Sequence, residues 1–389
     1  MSKELALVLV NPYTIGKSRT GGVLGRYLRL TGLSLAAVRM FGPSMDLTRR
    51  FADLLRADQE ADPRQREILA EYVMRAYAPD PETGRRQRVM MLLFEGEDAI
   101  AKIRDATGNV RDNMDSGRTV RDIYGDYIMD REGRVLYVEP AVMIGPTHKA
   151  TQATLKLWAG YSNQDGGIID QAGDVPREGP LQKTLVLIKP DNFRFPSSRP
   201  GNIIDIFSGS GLRIIGAKLH RMSVSEALEF YGPVRSALLK KLSGVVGKRA
   251  RETLTRELGF DVPEDLQDPL GTVLGPAYAD QQFYELVQFM TGHWAPQVPE
   301  EQRGHPGWAS CLALVYAGLN AVDIIRGILG PTDPSKADPG SVRREYGHNI
   351  MINAAHASDS AENAEREMRI VRVEEDQLAS LAATYYPDA

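Results

Sequence analysis

What most constrains the fold of this chain is that its order of motifs begins again near residue 184. Leu5-Ala-Leu-Val-Leu-Val-Asn11-Pro12 is matched by Thr184-Leu-Val-Leu-Ile-Lys189-Pro190. Gly22-Val-Leu-Gly with Gly32-Leu-Ser-Leu-Ala is matched, at the same glycine spacing, by Gly201-Asn-Ile-Ile with Gly211-Leu-Arg-Ile-Ile. Met91–Glu95 then Asp98–Gly108 is matched by Cys311–Ala317 then Asn320–Gly330, with Arg326 falling on Arg104. Thr119-Val-Arg121 is matched by Ser341-Val-Arg343, each followed by Tyr-Gly. Matches in one order throughout argue for a tandem duplication. Each copy reads strand, helix, strand, insertion, strand, helix, loop, strand, helix. This pattern points to an α+β class: two tandem ferredoxin-like (βαββαβ) domains, with helices packed on one face of a mostly antiparallel sheet.

Periodicity places strands at Leu5–Val10, Leu33–Phe41, Val89–Glu95 and Val135–Val142, and helices at Val23–Leu30, Met45–Leu55 and Glu97–Thr107. Thr20-Gly-Gly reads as a turn, and Asp58–Arg88 as a charged helical insertion. The expected domains are 1–160 and 183–375, joined by a linker at 161–182 and followed by a tail at 376–389. Insertions are expected at about 233–280 and 293–308. The first contains Gly244-Val-Val-Gly247-Lys248-Arg249, which lacks the spacing and the Ser/Thr of a phosphate loop and reads as helix and turn.

A net charge of −4 over 389 residues gives no sign of a nucleic-acid surface, so any anion site must be a local cluster of Arg and Lys. Cys311, the only cysteine, lies in an apolar run and reads as core filling. Met1-Ser-Lys-Glu runs straight into a strand pattern, with no signal peptide, and no apolar run reaches membrane-spanning length. The expectation is a cytoplasmic protein with no nucleic-acid or membrane partner.

Asn353-Ala-Ala-His356-Ala-Ser358-Asp359-Ser360 sets a histidine at the end of an apolar extended run, Ile350-Met-Ile, and just before a helix start. Asp359 or Ser360 can cap that helix, and Glu362 stands at capping-box spacing from Asp359. Glu367, two turns past Ser360, returns its carboxylate to the same helix face, near the histidine. A histidine beside helix N–H donors with a carboxylate in reach suits receipt of a phosphoryl group. Lys189 at a strand end, Arg326 on a helix, Thr332 after Gly330-Pro331 and Arg343 after Pro339-Gly340 could supply the donors a di- or triphosphate needs.

At these residues the second copy resembles a nucleoside diphosphate kinase. The motifs are Lys189-Pro190-Asp191, Gly201–Ile204, Gly211–Arg213, Tyr231, Gly318–Pro334, Pro339-Gly-Ser-Val-Arg343 and Asn353–Ser360. The resemblance covers about 183–232 and 281–375. It implies His356 as the nucleophile that carries the γ-phosphoryl group between nucleotides, with Glu367 and Ser358 fixing its ring. It implies Lys189, Tyr231, Arg326, Thr332, Arg343 and Asn353 as holders of phosphates and sugar, and Phe283 as the platform for the base. Mg²⁺ would arrive on the nucleotide's phosphates, without a dedicated protein cage. Partners would be nucleoside tri- and diphosphates, and assembly into a homo-oligomer is left open.

The first copy departs from the pattern. Asn11 stands where Lys189 does, and alignment by sequence sets Glu139-Pro-Ala-Val142 opposite Asn353-Ala-Ala-His356. His148 follows Gly145-Pro146-Thr147, too far along to share the strand end. Arg104 and Arg121 remain, and a structural role in place of a partner subunit is expected. The reading from a different class is a nucleotide-binding regulatory or scaffolding protein without turnover. Donation from phospho-His356 to protein histidines is a third reading that the sequence does not separate from the first.

Overall fold

The computed structural model describes residues 3–110, 117–129, 135–173 and 181–387. Part of the expected linker, 174–180, lies outside the described residues. The chain forms two compact units: Met1–His220 with Leu312–Ala389, and Arg221–Cys311. Among the described residues, no helix is long and apolar enough to cross a membrane.

The larger unit begins with β1 (Glu4–Val10), α1 (Pro12–Gly16), α2 (Thr20–Thr31), β2 (Ser34–Phe41), α3 (Met45–Ala57), α4 (Pro63–Ala76) and β3 (Val89–Gly96). It continues through α5 (Ala99–Thr107), α6 (Val120–Tyr124), the paired strands β4 (Asp126–Met129) and β5 (Val135–Glu139), β6 (Val142–Ile144), α7 (His148–Gly160) and α8 (Ser162–Asp165). The order then repeats with β7 (Leu181–Ile188), α9 (Arg199–Ser208) and β8 (Arg213–His220). The smaller unit holds α10 (Val224–Phe230), α11 (Gly232–Leu258) and α12 (Gln267–Thr291). Then come β9 (Cys311–Leu319), α13 (Ala321–Leu329), α14 (Val342–Tyr346), β10 (Ala355–Ala357), α15 (Ala361–Val371) and α16 (Leu378–Tyr385).

Both copies share one eight-stranded sheet, in the order β10-β7-β9-β8-β2-β3-β1-β6. The second copy contributes its strands as fourth, first, third, second, and the first copy continues in mirror order, so each has the ferredoxin-like arrangement. β7 runs antiparallel to β9 and β10, β1 to β3 and β6, and β2 to β3 and β8. The copies meet where Arg39 of β2 pairs with Lys218 of β8. These two buried cations are closed off by carbonyls: Arg39 donates to Ser162, Glu374 and Glu375, and Lys218 to Val371 and Arg372.

Above the seam α2 lies against α9. A Cβ on Gly201 would stand 2.2 Å from the Gly21 carbonyl, and one on Gly21 would stand 2.3 Å from the Gly201 carbonyl. Thr20-Gly-Gly, expected as a turn, is therefore the first turn of a helix, and its glycines serve close helix approach. Helices were expected on one face of the sheet. In the first copy they cover both, because every residue of β1 from Leu5 to Val10 is apolar and buried. Leu5, Leu7 and Leu9 join Phe51, Tyr77 and Trp158, while Phe94, of the opposite parity in β3, meets Tyr27 of α2. The segment 376–389, expected as a tail, carries α16, whose Leu378 and Ala382, with Tyr386 beyond it, enter this same core. Tyr386 Oη donates to the Leu5 carbonyl.

The likeness of the two halves extends to single dihedrals. Asp98 and Asn320 both take left-handed φ, at 52° and 51°, and Ala141 and Ala354 do so at 61° and 69°. Arg121 and Arg343 make the same fork, Nη1 to the Gly108 or Gly330 carbonyl and Nη2 to the Val142 or Ala355 carbonyl.

In the smaller unit, Ser223 and Glu226 close a capping box ahead of α10. α11 and α12 form a long antiparallel hairpin. Gly244–Arg249, expected as helix and turn, is helical throughout. Its Gly247 is small for a packing reason: a Cβ there would stand 2.2 Å from the Gln267 carbonyl.

Candidate active site

β7 ends at Ile188, and the Lys189 backbone N–H bonds the Ala354 carbonyl, aligning β7 with β10. His356 sits in the middle of β10, opposite Leu187. The apolar run Ile350-Met-Ile, expected to be extended up to the histidine, is instead a turn. Asn349 Oδ1 accepts from the Met351 and Ile352 N–H groups and closes it, leaving Ile350 exposed. Ser360 caps α15 by accepting from Asn363 N–H, and Asp359 instead takes the Asn363 side-chain amide. The capping box from Asp359 to Glu362 is not what forms, because Ser360 holds the extended cap position.

Glu367, two turns into α15, comes back onto the histidine. Its Oε2 lies 2.9 Å from His356 Nε2 and accepts the Ser358 hydroxyl at 2.6 Å. Ser358 and Glu367 are buried, whereas His356 keeps 23% of its side chain exposed. The imidazole lines a 470 Å³ cavity with Arg326, Thr332, Asp338, Arg343 and Asp359. Arg326 projects from α13, which ends at Gly330 (φ 84°). Arg343 bridges Gly330 to Ala355 and so ties the α13 turn to the strand carrying the histidine.

Behind this wall Lys189 is 5% exposed and donates to Asn353 Oδ1 at 2.7 Å and to the Met351 carbonyl at 3.2 Å. Asn353 in turn donates to the carbonyls of Thr332 and Ile350. Burial, and then the nearby Arg343 guanidinium, push the Lys189 ammonium down to about 7, against partial support from Asp191. Asp191 is raised by burial and drawn back by Lys189 and Arg199. Asp191 enters the sequence reading only as part of the Lys189-Pro190-Asp191 motif, and Arg199, whose guanidinium lies 3.7 Å from the Asp191 carboxylate, has no part in it.

Of the residues picked from the sequence, Lys189, Arg326, Thr332, Arg343, Asn353, His356, Ser358 and Glu367 come together around this cavity and its back wall. Tyr231 and Phe283 belong to the smaller unit. Within it Tyr231 follows α10 with its ring 4.8 Å from that of Phe230, and Phe283 of α12 is 3% exposed, its ring 5.8 Å from Tyr284.

The equivalent place in the first copy is filled differently. Register puts Met143 opposite Leu9 as His356 is opposite Leu187, so methionine, not Val142, holds the histidine's position. The sequence alignment is off by one because Pro140-Ala141 breaks the strand expected over Val135–Val142 into β5 and β6. Counted from the caps Thr147 and Ser360, Thr154 stands for Glu367; counted from the helix-ending Gly108 and Gly330, Val110 stands for Thr332. Asn11 bonds the buried Glu139, which also accepts from Tyr72, and Tyr77 donates to Asn11. Burial raises the Glu139 carboxyl above its usual range. His148 is the first residue of α7, with its ring 5.0 Å from Tyr386.

Comparison with known proteins points to one family. The family model described as Nucleoside diphosphate kinase matches residues 278–376. A nucleoside diphosphate kinase of Pyrobaculum aerophilum is 30% identical over 217 residues, covering 51% of this chain and 99% of that protein. One of Chlamydia trachomatis is 30% identical over 184 residues, covering 47% of this chain and 87% of that protein. A crystal structure of an NDP kinase from Pyrobaculum aerophilum aligns at 28% identity and a TM-score of 0.31, over 49% of this chain and 95% of that one. This chain belongs to the nucleoside diphosphate kinase family.

Proposed function

We propose that the chain transfers the γ-phosphoryl group of a nucleoside triphosphate to a nucleoside diphosphate, by a ping-pong route through phospho-His356. The observation that carries this reading is the His356–Glu367–Ser358 chain opening on a cavity walled by Arg326, Thr332 and Arg343. With Nε2–H given to Glu367, the imidazole lone pair lies on Nδ1, the atom that attacks. An Nδ1–P bond forms as the bond from Pγ to the bridging oxygen breaks, and the diphosphate leaves with that electron pair. A terminal oxygen of a second diphosphate then attacks the same phosphorus, and Nδ1 recovers its pair. Glu367 steadies the ring as it gains positive charge, while Arg326, Arg343 and Lys189 offset the charge spreading over the phosphoryl oxygens.

Mg²⁺ on the nucleotide's phosphates would supply further charge neutralisation. The cavity's carboxylates, Asp338 and Asp359, suit a metal held chiefly by substrate oxygens, the arrangement this ion prefers. The first copy is proposed to be a degenerate member of the same family with a structural role, and the site of action to be the cytoplasm.

Intact mass of wild type and His356→Ala, after brief incubation with ATP and Mg²⁺ and kept alkaline, tests the proposal. One phosphoryl adduct on wild type, absent from the variant and discharged by GDP, is the expected result. Bound nucleotide without an adduct would replace the enzyme by the binding-protein reading. Two adducts would make the first copy catalytic.

A further inference from the structure

We infer that Arg39, which belongs to the first copy, is together with Lys218 a positioning residue for the second copy's site: the two cations pin the exit of α15 and so hold Glu367 against His356. This rests on the phosphoryl-transfer reading of that site, and it gives the first copy a part in it. Arg39 and Lys218 are register partners where β2 meets β8, and each is 3% exposed. Val38, Met40, Ala217 and Leu219, their neighbours along the two strands, are buried and apolar. Burial lowers the Arg39 guanidinium, and Asp376 and Glu374 offset part of that. Two like charges side by side in an apolar seam cost more than an apolar pair, which would join the strands as well. Joining the strands is therefore not reason enough for them.

Their acceptors lie in one stretch just past Glu367. Lys218 Nζ donates to the Val371 carbonyl at 3.2 Å and to the Arg372 carbonyl at 2.6 Å. Arg39 donates to the Glu374 and Glu375 carbonyls at 2.9 and 2.8 Å. Val371 ends α15, so its carbonyl has no partner within the helix. Arg372 follows with φ 52°, a left-handed conformation that is costly for a residue with a Cβ, and its N–H closes on the Met368 and Arg369 carbonyls. The Glu375 N–H then returns to the Arg372 carbonyl. The two cations thus tie both ends of the turn that stops α15, and the last turn of that helix runs from Glu367 to Val371. With the tie released, Arg372 relaxes, this last turn frays, and the carboxylate loses its 2.9 Å approach to Nε2. The first copy is shaped around the tie. A Cβ on Gly166 would stand 2.5 Å from Arg39 Nε, Arg39 also donates to the Ser162 carbonyl, Ser162 Oγ bonds Asp376, and Ile168 N–H bonds Glu374.

Two readouts on the full-length chain test the inference: the His356 tautomer, by long-range proton–nitrogen spectra of histidine-labelled protein at pH 8, and single-turnover phosphorylation by ATP and Mg²⁺. Wild type should hold His356 as one tautomer, with the proton on Nε2. Arg39→Met should show mixed tautomers and phosphorylate at least about tenfold more slowly, with nucleotide affinity kept. Arg39→Lys keeps the charge but not the fork, and should fall between the two; it carries the test where Arg39→Met fails to fold. Phe51→Leu loosens the first copy's core and should lower the urea midpoint while leaving tautomer and rate as in wild type. A wild-type tautomer and rate in both Arg39 variants would overturn the inference. So would a Phe51→Leu chain as impaired as Arg39→Met. A wild type with one tautomer but no phosphoryl adduct would overturn the transfer reading instead, and the tautomer of the Arg39 variants would still decide this one.

Discussion

Lys189 carries its ammonium 2.7 Å from Asn353 Oδ1 in surroundings that disfavour charge. Its proton leaves at about 7 in the folded chain, against about 10.4 for an unfolded lysine. An incoming phosphate needs the charged form. The kcat/KM for nucleoside triphosphate, which reports the free enzyme, should therefore fall as pH rises through about 7. In Lys189→Met that alkaline limb should vanish from a lowered baseline; a limb unchanged in the variant would assign it elsewhere. Stability has the opposite sign. Between pH 7 and 10 the unfolded lysine binds a proton that the folded one does not, so wild type gains stability with rising pH. The stability difference of Lys189→Met over wild type should shrink across that window in urea titrations. Glu367 holds both His356 and Ser358, and replacing it by Gln removes the charge while keeping the shape. Single-turnover phosphorylation of His356 should slow by about 10²-fold or more, with nucleotide affinity kept. An unchanged rate would leave Glu367 a packing role only.

At the scale of elements, glycines report where helices approach. Gly271→Val drives a side chain against the Ser243 backbone and should cost about 1–3 kcal/mol, read as a lower urea midpoint. Gly304→Ala, with nothing within 4 Å of its Cβ, should leave that midpoint unmoved. Equal effects would mean that the hairpin contact carries no stability. The turn at Asn349–Ile352 matters in the same way: by folding Ile350 outward it brings Asn353 under Lys189, which an extended run would not do.

For the whole molecule, the sheet makes the two copies one body, and among the described residues only the second sets a histidine beside a glutamate that also accepts a serine hydroxyl. Met143→His restores an imidazole to the first copy opposite Leu9. It should still yield a single phosphoryl adduct by intact mass, because Thr154 and Val110 stand where Glu367 and Thr332 do, and Glu139, Tyr72 and Tyr77 close around Asn11. A second adduct would show that the nucleophile alone was missing.

The sequence by itself determined the duplication, the strand and helix order of each copy, and most of the cavity residues. These rest on local signals: unbroken apolar strands, the glycine ending α13, a histidine just ahead of a capped helix whose carboxylate lies two turns in. Tertiary structure alone decided the rest. Local pattern does not say that Thr20-Gly-Gly opens a helix, since the reason lies across the seam at Gly201. Nor does it fix the register at Met143, which turns on a left-handed Ala141 after a proline. The tyrosines that fill the first copy's site, Tyr72 and Tyr77, come from its insertion, and the last helix enters a core begun at residue 5. Contacts made over such distances are chosen by packing and by the pairing of buried polar groups, which no window of sequence contains.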